Sequence, residues 1–127
     1  MGYAAAMSFS DEDLAALDRA EEVRVETQAP GGPVHRTIIW IVVDDGEVFV
    51  RSVRDTRGRW FREAQANPAI AVHVDGRRLS ATAIPADDPA SIERASEALR
   101  RKYAADPALR TMLVPETLPT TLRVEPT

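Results

Sequence analysis

The strongest strand pattern in the chain spans residues 34 to 43, which read Val34-His35-Arg36-Thr37-Ile38-Ile39-Trp40-Ile41-Val42-Val43. Every residue from 38 to 43 is apolar, so both faces of this strand are predicted to be covered. The chain has 127 residues, which suits a single domain, since domains cluster near roughly 100–150 residues. Two covered faces in so short a chain predict a closed barrel with something packed outside it, such as a partner subunit.

Further strands and helices extend outward from this segment. The turn Asp44-Asp45-Gly46 returns the chain antiparallel through residues 47–53. The other strand candidates are residues 23–27, 70–74, 79–84 and 120–125, and helices are predicted over residues 11–21, over residues 59–66 and from residue 89 onward. These elements predict a mainly β (α+β) fold, a six-stranded antiparallel barrel with peripheral helices. An α+β sandwich with one open face is the alternative.

Composition narrows the functional classes. Hydrophobic residues make up 44% and charged residues 28%, as in ordinary globular proteins. The net charge of −4 argues against general nucleic-acid binding. The absence of cysteine excludes disulfides and thiolate chemistry, and no apolar run approaches the ~20 residues that cross a bilayer. We expect a cytoplasmic protein with a flexible leader at residues 1–8, a single domain at residues 9–127, and neither a nucleic-acid nor a membrane partner.

A cluster of basic residues follows the second strand of this hairpin. The strand ends in a loop that contains a glycine and then leads into a predicted helix near Trp60. Guanidinium groups match phosphate oxygens two at a time, and the free N–H groups of a helix start add partial positive charge. The loop therefore predicts an anion site, with a solvated loop or salt bridges as the alternative. The polar residues of this loop are Arg51, Ser52, Arg54, Arg57 and Arg59.

Arg51 is the residue of this cluster that most needs a partner. Strand alternation places it on the same face as Phe49 and Val53, which is otherwise apolar. A charge on such a face is costly unless it is paired. We therefore interpret Arg51 as the strongest single-residue argument for a bound ligand.

Other kinds of site have weaker support. His35 and His73 lie on different predicted strands without carboxylate spacing typical of a metal site. Ser52 lacks a nucleophile-elbow motif, which argues against a hydrolase triad. Trp40 and Trp60 are core candidates, and Trp60 is also a candidate to stack on a ligand ring because it adjoins the basic loop.

The order of these motifs resembles the split-barrel superfamily of flavin- and deazaflavin-binding proteins, which includes pyridoxamine 5'-phosphate oxidases and deazaflavin-dependent nitroreductases. The likeness covers residues 9–126, and the nearest match is a branch known only as a domain of unknown function. It rests on residues 36–43, on residues 48–52, on Arg57-Gly58-Arg59-Trp60-Phe61 and on Asn67-Pro68. The resemblance implies a six-stranded split β-barrel and a homodimer with FMN or a deazaflavin coenzyme at the subunit interface.

The resemblance also implies positions for cofactor-binding residues. Arg51 and Ser52 would reach the cofactor phosphate, with the following loop and helix start beside it. Arg36 and Thr37 would lie near the cofactor tail or ring. No catalytic side chain is implied, because the ring system carries the redox chemistry. The implied cofactor-binding residues are Arg36, Thr37, Arg51, Ser52, Arg54, Arg57, Gly58, Arg59 and Trp60.

Two departures from the superfamily pattern bear on activity. Many relatives carry a lysine in the phosphate loop, where this chain has only arginine. The closing segment, residues 122–126, is similar to that of pyridoxamine phosphate oxidases, but Glu125 stands where those enzymes place a histidine for the substrate phosphate. A carboxylate there argues against that substrate. Two functions stay open: a split-barrel oxidoreductase whose substrate is unknown, and a non-catalytic module for ligand binding or dimerisation that holds another small anion.

Overall fold

A computed structural model describes residues 8–127, so the predicted leader lies outside the described residues except for Ser8. Strands and helices follow one another along the rest of the chain. The α-helices are α1 (Asp11–Arg19), α2 (Arg59–Ala66) and α3 (Pro89–Lys102), and the strands are β1 (Val23–Gln28), β2 (Val34–Ile39), β3 (Val42–Asp44), β4 (Glu47–Val50), β5 (Ala69–Val74), β6 (Arg77–Pro85) and β7 (Leu122–Pro126). Short 3-10 turns cover Asp55–Arg57, Leu109–Met112 and Pro115–Thr120.

The strands form one antiparallel sheet in the order β2-β1-β5-β6-β7-β4-β3. The prediction of a mainly β fold with peripheral helices is confirmed. The number of strands is corrected from six to seven, because the predicted strand at residues 34–43 is interrupted at Trp40 and Ile41. The two halves of that strand, β2 and β3, lie at opposite edges of the sheet.

The sheet curls into a half-barrel, and the bend at Trp40–Ile41 joins its two edges covalently. Ile41 is fully buried. Its backbone carbonyl accepts a hydrogen bond from Lys102 Nζ (2.7 Å), and its backbone N–H donates to the Tyr103 hydroxyl (3.4 Å) at the end of α3. These side chains take the place of a strand partner at the bend. The barrel is therefore split between β2 and β3, which agrees with the split β-barrel that the resemblance implied.

Two apolar clusters hold the sheet and the helices together. The larger fills the concave side of the sheet, where α1 and α2 pack, and it includes Leu17, Val25, Phe61 and Val72. The smaller lies between α3 and the β3–β4 hairpin and includes Phe49 and Leu99. Burial of these side chains is the main stabilising contribution of the fold.

The two faces of residues 38–43 differ in burial within the single chain. Ile39, Ile41 and Val42 are buried, but Ile38 is 55% exposed on edge strand β2, and Val34 of the same face is 50% exposed. Nothing among residues 8–127 covers that face, so Ile38 and Val34 leave apolar surface on this edge strand. In the described part of the chain, no helix has the length and apolar character needed to cross a membrane.

Candidate functional site: a cavity beside the basic loop

A cavity of about 660 Å³ lies between β2, the segment Ser52–Trp60 and the 3-10 turn Leu109–Met112, and we call it the candidate cavity. Its volume falls within the roughly 300–1,000 Å³ of small-molecule sites. One part of its wall is apolar, and another is basic. The lining residues are Glu22, Thr37, Ile38, Ile39, Trp40, Arg51, Ser52, Val53, Arg54, Arg57, Gly58, Arg59, Trp60, Arg62, Ala108, Thr111 and Met112.

Arg51 is almost completely buried at the base of this cavity, and its hydrogen-bond partners are protein groups. Its Nε donates to Thr121 Oγ1 (2.8 Å), Nη1 donates to the Met112 carbonyl (2.9 Å), and Nη2 donates to the Ile92 carbonyl and Ser96 Oγ (both 2.9 Å). The inference that Arg51 needs a ligand as partner is thus corrected. Strand β4 ends at Val50, so the chain has already turned toward these acceptors.

The Arg51 partners are all neutral, and no carboxylate of the described residues lies within ion-pair distance of its guanidinium. Burial lowers the pKa of Arg51 to about 10, so the side chain still carries its charge near neutral pH. A positive charge without a counter-ion therefore lies in the cavity wall.

Ser52 and Gly58 form the second notable feature of the wall. Ser52 is 1% exposed, and its hydroxyl has no hydrogen-bond partner among the described residues. A Cβ atom added to Gly58 would lie only 2.4 Å from Ser52 Oγ, so this hydroxyl occupies the space where a side chain of residue 58 would begin. Thr37 Oγ1, across the cavity on β2, is a second buried oxygen without a partner. Buried hydroxyls without partners are rare, and both line the same cavity.

Gly58 is also the N-cap residue of α2, and it provides no capping side chain. Helices α1 and α3, by contrast, are capped by Ser10 and Asp88, whose side chains accept backbone N–H bonds. The first turn of α2 contains no acidic residue. The free N–H groups at the start of α2 therefore have no acidic side chain to pair with. They lie beside the buried Ser52 hydroxyl, which also has no partner among the described residues.

Four arginines surround the opening of the cavity. Arg57 is paired with Asp55, whose carboxylate accepts from Arg57 Nε and Nη2 (both 3.1 Å), and this contact lowers the pKa of Asp55. Within residues 8–127, Arg54, Arg59 and Arg62 form no ion pair within 4.0 Å. The lining carboxylate opposing them is the exposed Glu22. The opening is therefore positive, although the whole chain is acidic.

Eight of the nine predicted site residues line the candidate cavity, and Arg36 does not. Arg36 lies on β2 next to Thr37 but points to the opposite face, where its Nε is 3.6 Å from Glu26. Sequence reasoning also missed part of the wall. Arg62 follows Arg59 by three residues, so helix periodicity could have indicated it, whereas the turn Leu109–Met112 reaches the cavity through tertiary contacts that leave no local signal.

The two histidines pair with carboxylates. His35 Nδ1 lies 3.0 Å from Glu63, which also accepts from Thr27 Oγ1, and His73 Nε2 lies 2.7 Å from Glu26. Neither histidine lines the candidate cavity. No group of three metal-binding side chains is found among residues 8–127.

Solved structures with the same architecture carry names that refer to different ligands and reactions. HutZ, the heme storage protein from Vibrio cholerae, superposes with a TM-score of 0.63 at 11% identity, covering 95% of this chain and 92% of HutZ. A putative pyridoxamine 5'-phosphate oxidase from Listeria innocua gives 0.62 at 15% identity, covering 92% and 90%. An F420-H2 dependent reductase (FDR-A) gives 0.63 at 17% identity, covering 85% and 95%. At these identities the likeness establishes the split-barrel fold.

Comparison at the level of sequence gives a family but no characterised relative. No curated protein matches the chain. A family model described as "Uncharacterized protein conserved in bacteria (DUF2255)" matches residues 13–124, which include every strand except the end of β7. The chain is therefore a member of the DUF2255 family, with a split-barrel fold.

Proposed function

We propose that this protein binds a flavin-type cofactor, FMN or a deazaflavin coenzyme, in the candidate cavity. The observation that carries the proposal is the buried, unpartnered hydroxyl of Ser52 beside the uncapped start of α2. A phosphate oxygen there would accept hydrogen bonds from that hydroxyl and from backbone N–H groups of the helix start. Gly58 allows the Ser52 hydroxyl to lie beside this helix start, because any larger residue at position 58 would collide with it.

The surrounding charges support an anionic group at the same place. Arg54, Arg59 and Arg62 have no acidic partners at the opening, and the buried charge of Arg51 lies in the wall behind them. Arg51 contributes in this proposal through its charge, since protein acceptors already take four of its N–H groups. A cation held in a low-dielectric wall attracts an anion more strongly than one in water.

The apolar part of the cavity suits a flat ring system. Ile39 and Trp40 are at the end of β2, and Met112 faces them from the 3-10 turn. A flavin-type ring supplies hydride transfer when it is bound, and the role of the protein is to hold and orient it and to exclude water. We assign no catalytic side chain. The similar structures include proteins named for heme, pyridoxamine phosphate and F420 chemistry, which supports cofactor binding without selecting the cofactor.

The exposed edge of β2 supports a homodimer as part of the proposal. Val34 and Ile38 present apolar surface on β2, an edge strand whose outer backbone groups pair with no other strand of the described residues. Such an edge is usually covered. Because Ile38 also lines the candidate cavity, a second subunit on this edge would help to enclose the ligand. The predicted cytoplasmic location stays a prediction.

Titration of the purified protein with FMN and with a deazaflavin coenzyme tests the proposal. We expect binding of at least one, and Ser52→Ala should weaken it by roughly tenfold or more, since a hydrogen bond to a charged group contributes about 1.5–3 kcal/mol. The same change should leave the free energy of unfolding unchanged or raised, because the hydroxyl has no hydrogen-bond partner among residues 8–127. Ser80→Ala, on the exposed part of β6 and outside the cavity, is the control for binding and should leave the affinity unchanged. Its hydroxyl accepts an exposed hydrogen bond from Arg78 Nη1 (3.1 Å), so its effect on the free energy of unfolding should be small.

Failure to bind either cofactor would contradict the proposal. If inorganic phosphate alone stabilises the protein, and Ser52→Ala abolishes this effect, the second function is favoured: a non-catalytic module that holds a small anion. Equal affinity of wild type and Ser52→Ala for FMN would show that the cofactor binds elsewhere.

A further inference from the structure

Lys102 links three elements at the split of the barrel. Its Nζ donates hydrogen bonds to the carbonyl of Ile41 at the bend (2.7 Å) and to the carbonyl of Leu17 in α1 (3.0 Å). It is the only lysine in a chain with 15 arginines. A compact ammonium on a flexible stem can reach two carbonyls in a confined space where the planar guanidinium of arginine would not fit as readily.

The neighbouring Tyr103 connects this contact to Trp40. The two rings are stacked, with centroids 3.9 Å apart and planes inclined by 5°. The buried Tyr103 hydroxyl donates to the carbonyl of Glu21 (2.8 Å), which fixes the ring. Trp40 is adjacent to Ile41 in the chain and lines the candidate cavity. A movement of the bend at Ile41 therefore alters the position of a cavity wall.

We propose that Lys102 is a positioning residue, whose ammonium group holds the Trp40–Ile41 bend and thereby makes cofactor affinity depend on its protonation. The inference rests on the proposed function only where it concerns the cofactor. The coupling between Lys102 and Trp40 concerns the ligand-free protein, so it can be tested without any cofactor.

The charged surroundings of Lys102 are few. Asp18 of α1 and Arg101 of α3 line the same small cavity of about 290 Å³ as Lys102, and Arg101 is itself paired with Asp44 of β3 (3.0 Å). The bend contributes no charged side chain. Burial lowers the pKa of Lys102 to about 8, and Asp18 opposes that shift. Burial raises the pKa of Tyr103 to about 12, so this hydroxyl does not titrate in the same range.

These values set the direction of the effect. Below about pH 8 the ammonium donates charge-assisted hydrogen bonds to both carbonyls, and as the pH rises through about 8 the neutral amine donates weaker ones. The bend is then held less firmly, so Trp40 becomes less well fixed. We expect cofactor affinity to fall roughly fivefold between about pH 7 and pH 9, at the low end of usual couplings between sites.

Fluorine NMR of protein labelled with 5-fluorotryptophan tests the coupling without a ligand. The chain has two tryptophans, so two signals are expected, and Trp40→Phe assigns them. The Trp40 signal should shift with a midpoint near pH 8, while the Trp60 signal, on α2, should not shift. Lys102→Met should remove the shift, and Lys102→Arg, which stays charged, should also remove it.

A Trp40 signal that is constant across this range in the folded wild type, or that shifts equally in Lys102→Met, would overturn the inference. Should Lys102→Met fail to fold, Lys102→Arg and the wild-type titration still decide it. FMN titrations at about pH 7 and pH 9 then test whether cofactor affinity depends on the protonation of Lys102. A fall in affinity for wild type that Lys102→Arg lacks supports the coupling, and an equal fall in both contradicts it. Absence of FMN binding at both pH values contradicts the proposed function instead.

Discussion

The space beside the Gly58 backbone can hold either the Ser52 hydroxyl or a Cβ atom of residue 58, but not both. The backbone of Gly58 has φ −60° and ψ 134°, which any residue adopts, so the constraint is purely steric. We predict that Gly58→Ala destabilises the protein by about 1–3 kcal/mol, as overpacking does, because the new Cβ would displace Ser52 Oγ. Urea denaturation measures the free energy of unfolding.

Gly32→Ala is the matched control, because its Cβ would meet no atom nearer than 3.4 Å and its backbone requires no positive φ. Adding Ser52→Ala to Gly58→Ala should recover part of the loss, because it removes the displaced hydroxyl. The explanation fails if Gly58→Ala is as stable as Gly32→Ala.

Arg51 shows how far alternation along a strand determines the role of a residue. The pattern correctly predicts that Arg51 is buried, but its partners at residues 92, 96, 112 and 121 are 41 to 70 positions away. No local sequence signal indicates such distant acceptors, so the pattern alone predicts a ligand as the partner. The loop residues 54–59 lead directly into α2, so their place beside the cavity depends mainly on local sequence and could be predicted.

The contacts of Arg51 lead to a prediction about stability. Arg51→Met should lower the free energy of unfolding by about 2–5 kcal/mol even without any ligand, since it leaves buried acceptors such as the Met112 carbonyl without this donor. Arg54→Met, at the exposed opening of the cavity, should change it by less than about 0.5 kcal/mol. Denaturation of the ligand-free proteins checks both values. Equal stability of the two variants would show that the Arg51 contacts contribute little.

At the scale of elements, the largest difference between prediction and structure is the interruption of residues 34–43. The run is continuously apolar, so hydrophobic pattern alone gives no reason to divide it. The division depends on Lys102, which donates to the carbonyl of Ile41 from 61 positions away, and on Tyr103, which accepts from its N–H from 62 positions away. The hairpin after it was predictable, because Asp45 and Gly46 adopt the positive φ angles (50° and 80°) that its turn requires.

Glu26 connects four strands on the outer face of the sheet. It lies on β1 and contacts Arg78 on β6 (2.9 Å), His73 on β5 and Arg36 on β2. The Arg78 contact, followed by that of His73, lowers the pKa of Glu26 from 4.5 to about 2. A carboxyl whose pKa is lowered in the folded state stabilises it fully above the unfolded value, and the contribution is lost as pH falls.

The expected loss for Glu26 therefore occurs between about pH 4.5 and pH 2. We predict that Glu26→Gln lowers the free energy of unfolding at about pH 6 and that its difference from wild type shrinks toward about pH 2. Urea denaturation across this range is the measurement. Glu116→Gln, at an exposed position, is the control and should follow wild type throughout. A wild-type difference that stays constant down to about pH 2 would contradict the role assigned to Glu26.

For the whole molecule, the sequence predicts the class of fold because turns, caps and alternation agree with one another along most of the chain. The cavity itself depends on residues 37–40 and 51–62, with residues 108–112 reaching it from much later in the chain. Their convergence concentrates positive charge in an otherwise acidic molecule. We propose that the candidate cavity, rather than the outer face of the sheet, binds the cofactor.

Mapping of backbone amide shifts tests that claim most directly. FMN or a deazaflavin coenzyme is added to ¹⁵N-labelled protein, and the change in each assigned amide signal is recorded. We predict the largest changes at Arg59 and Trp60, where the helix start receives the phosphate, and at residues 37–40 on the opposite wall. Largest changes around His73 on the outer face of the sheet, with the amides of Arg59 and Trp60 unchanged, would contradict the account.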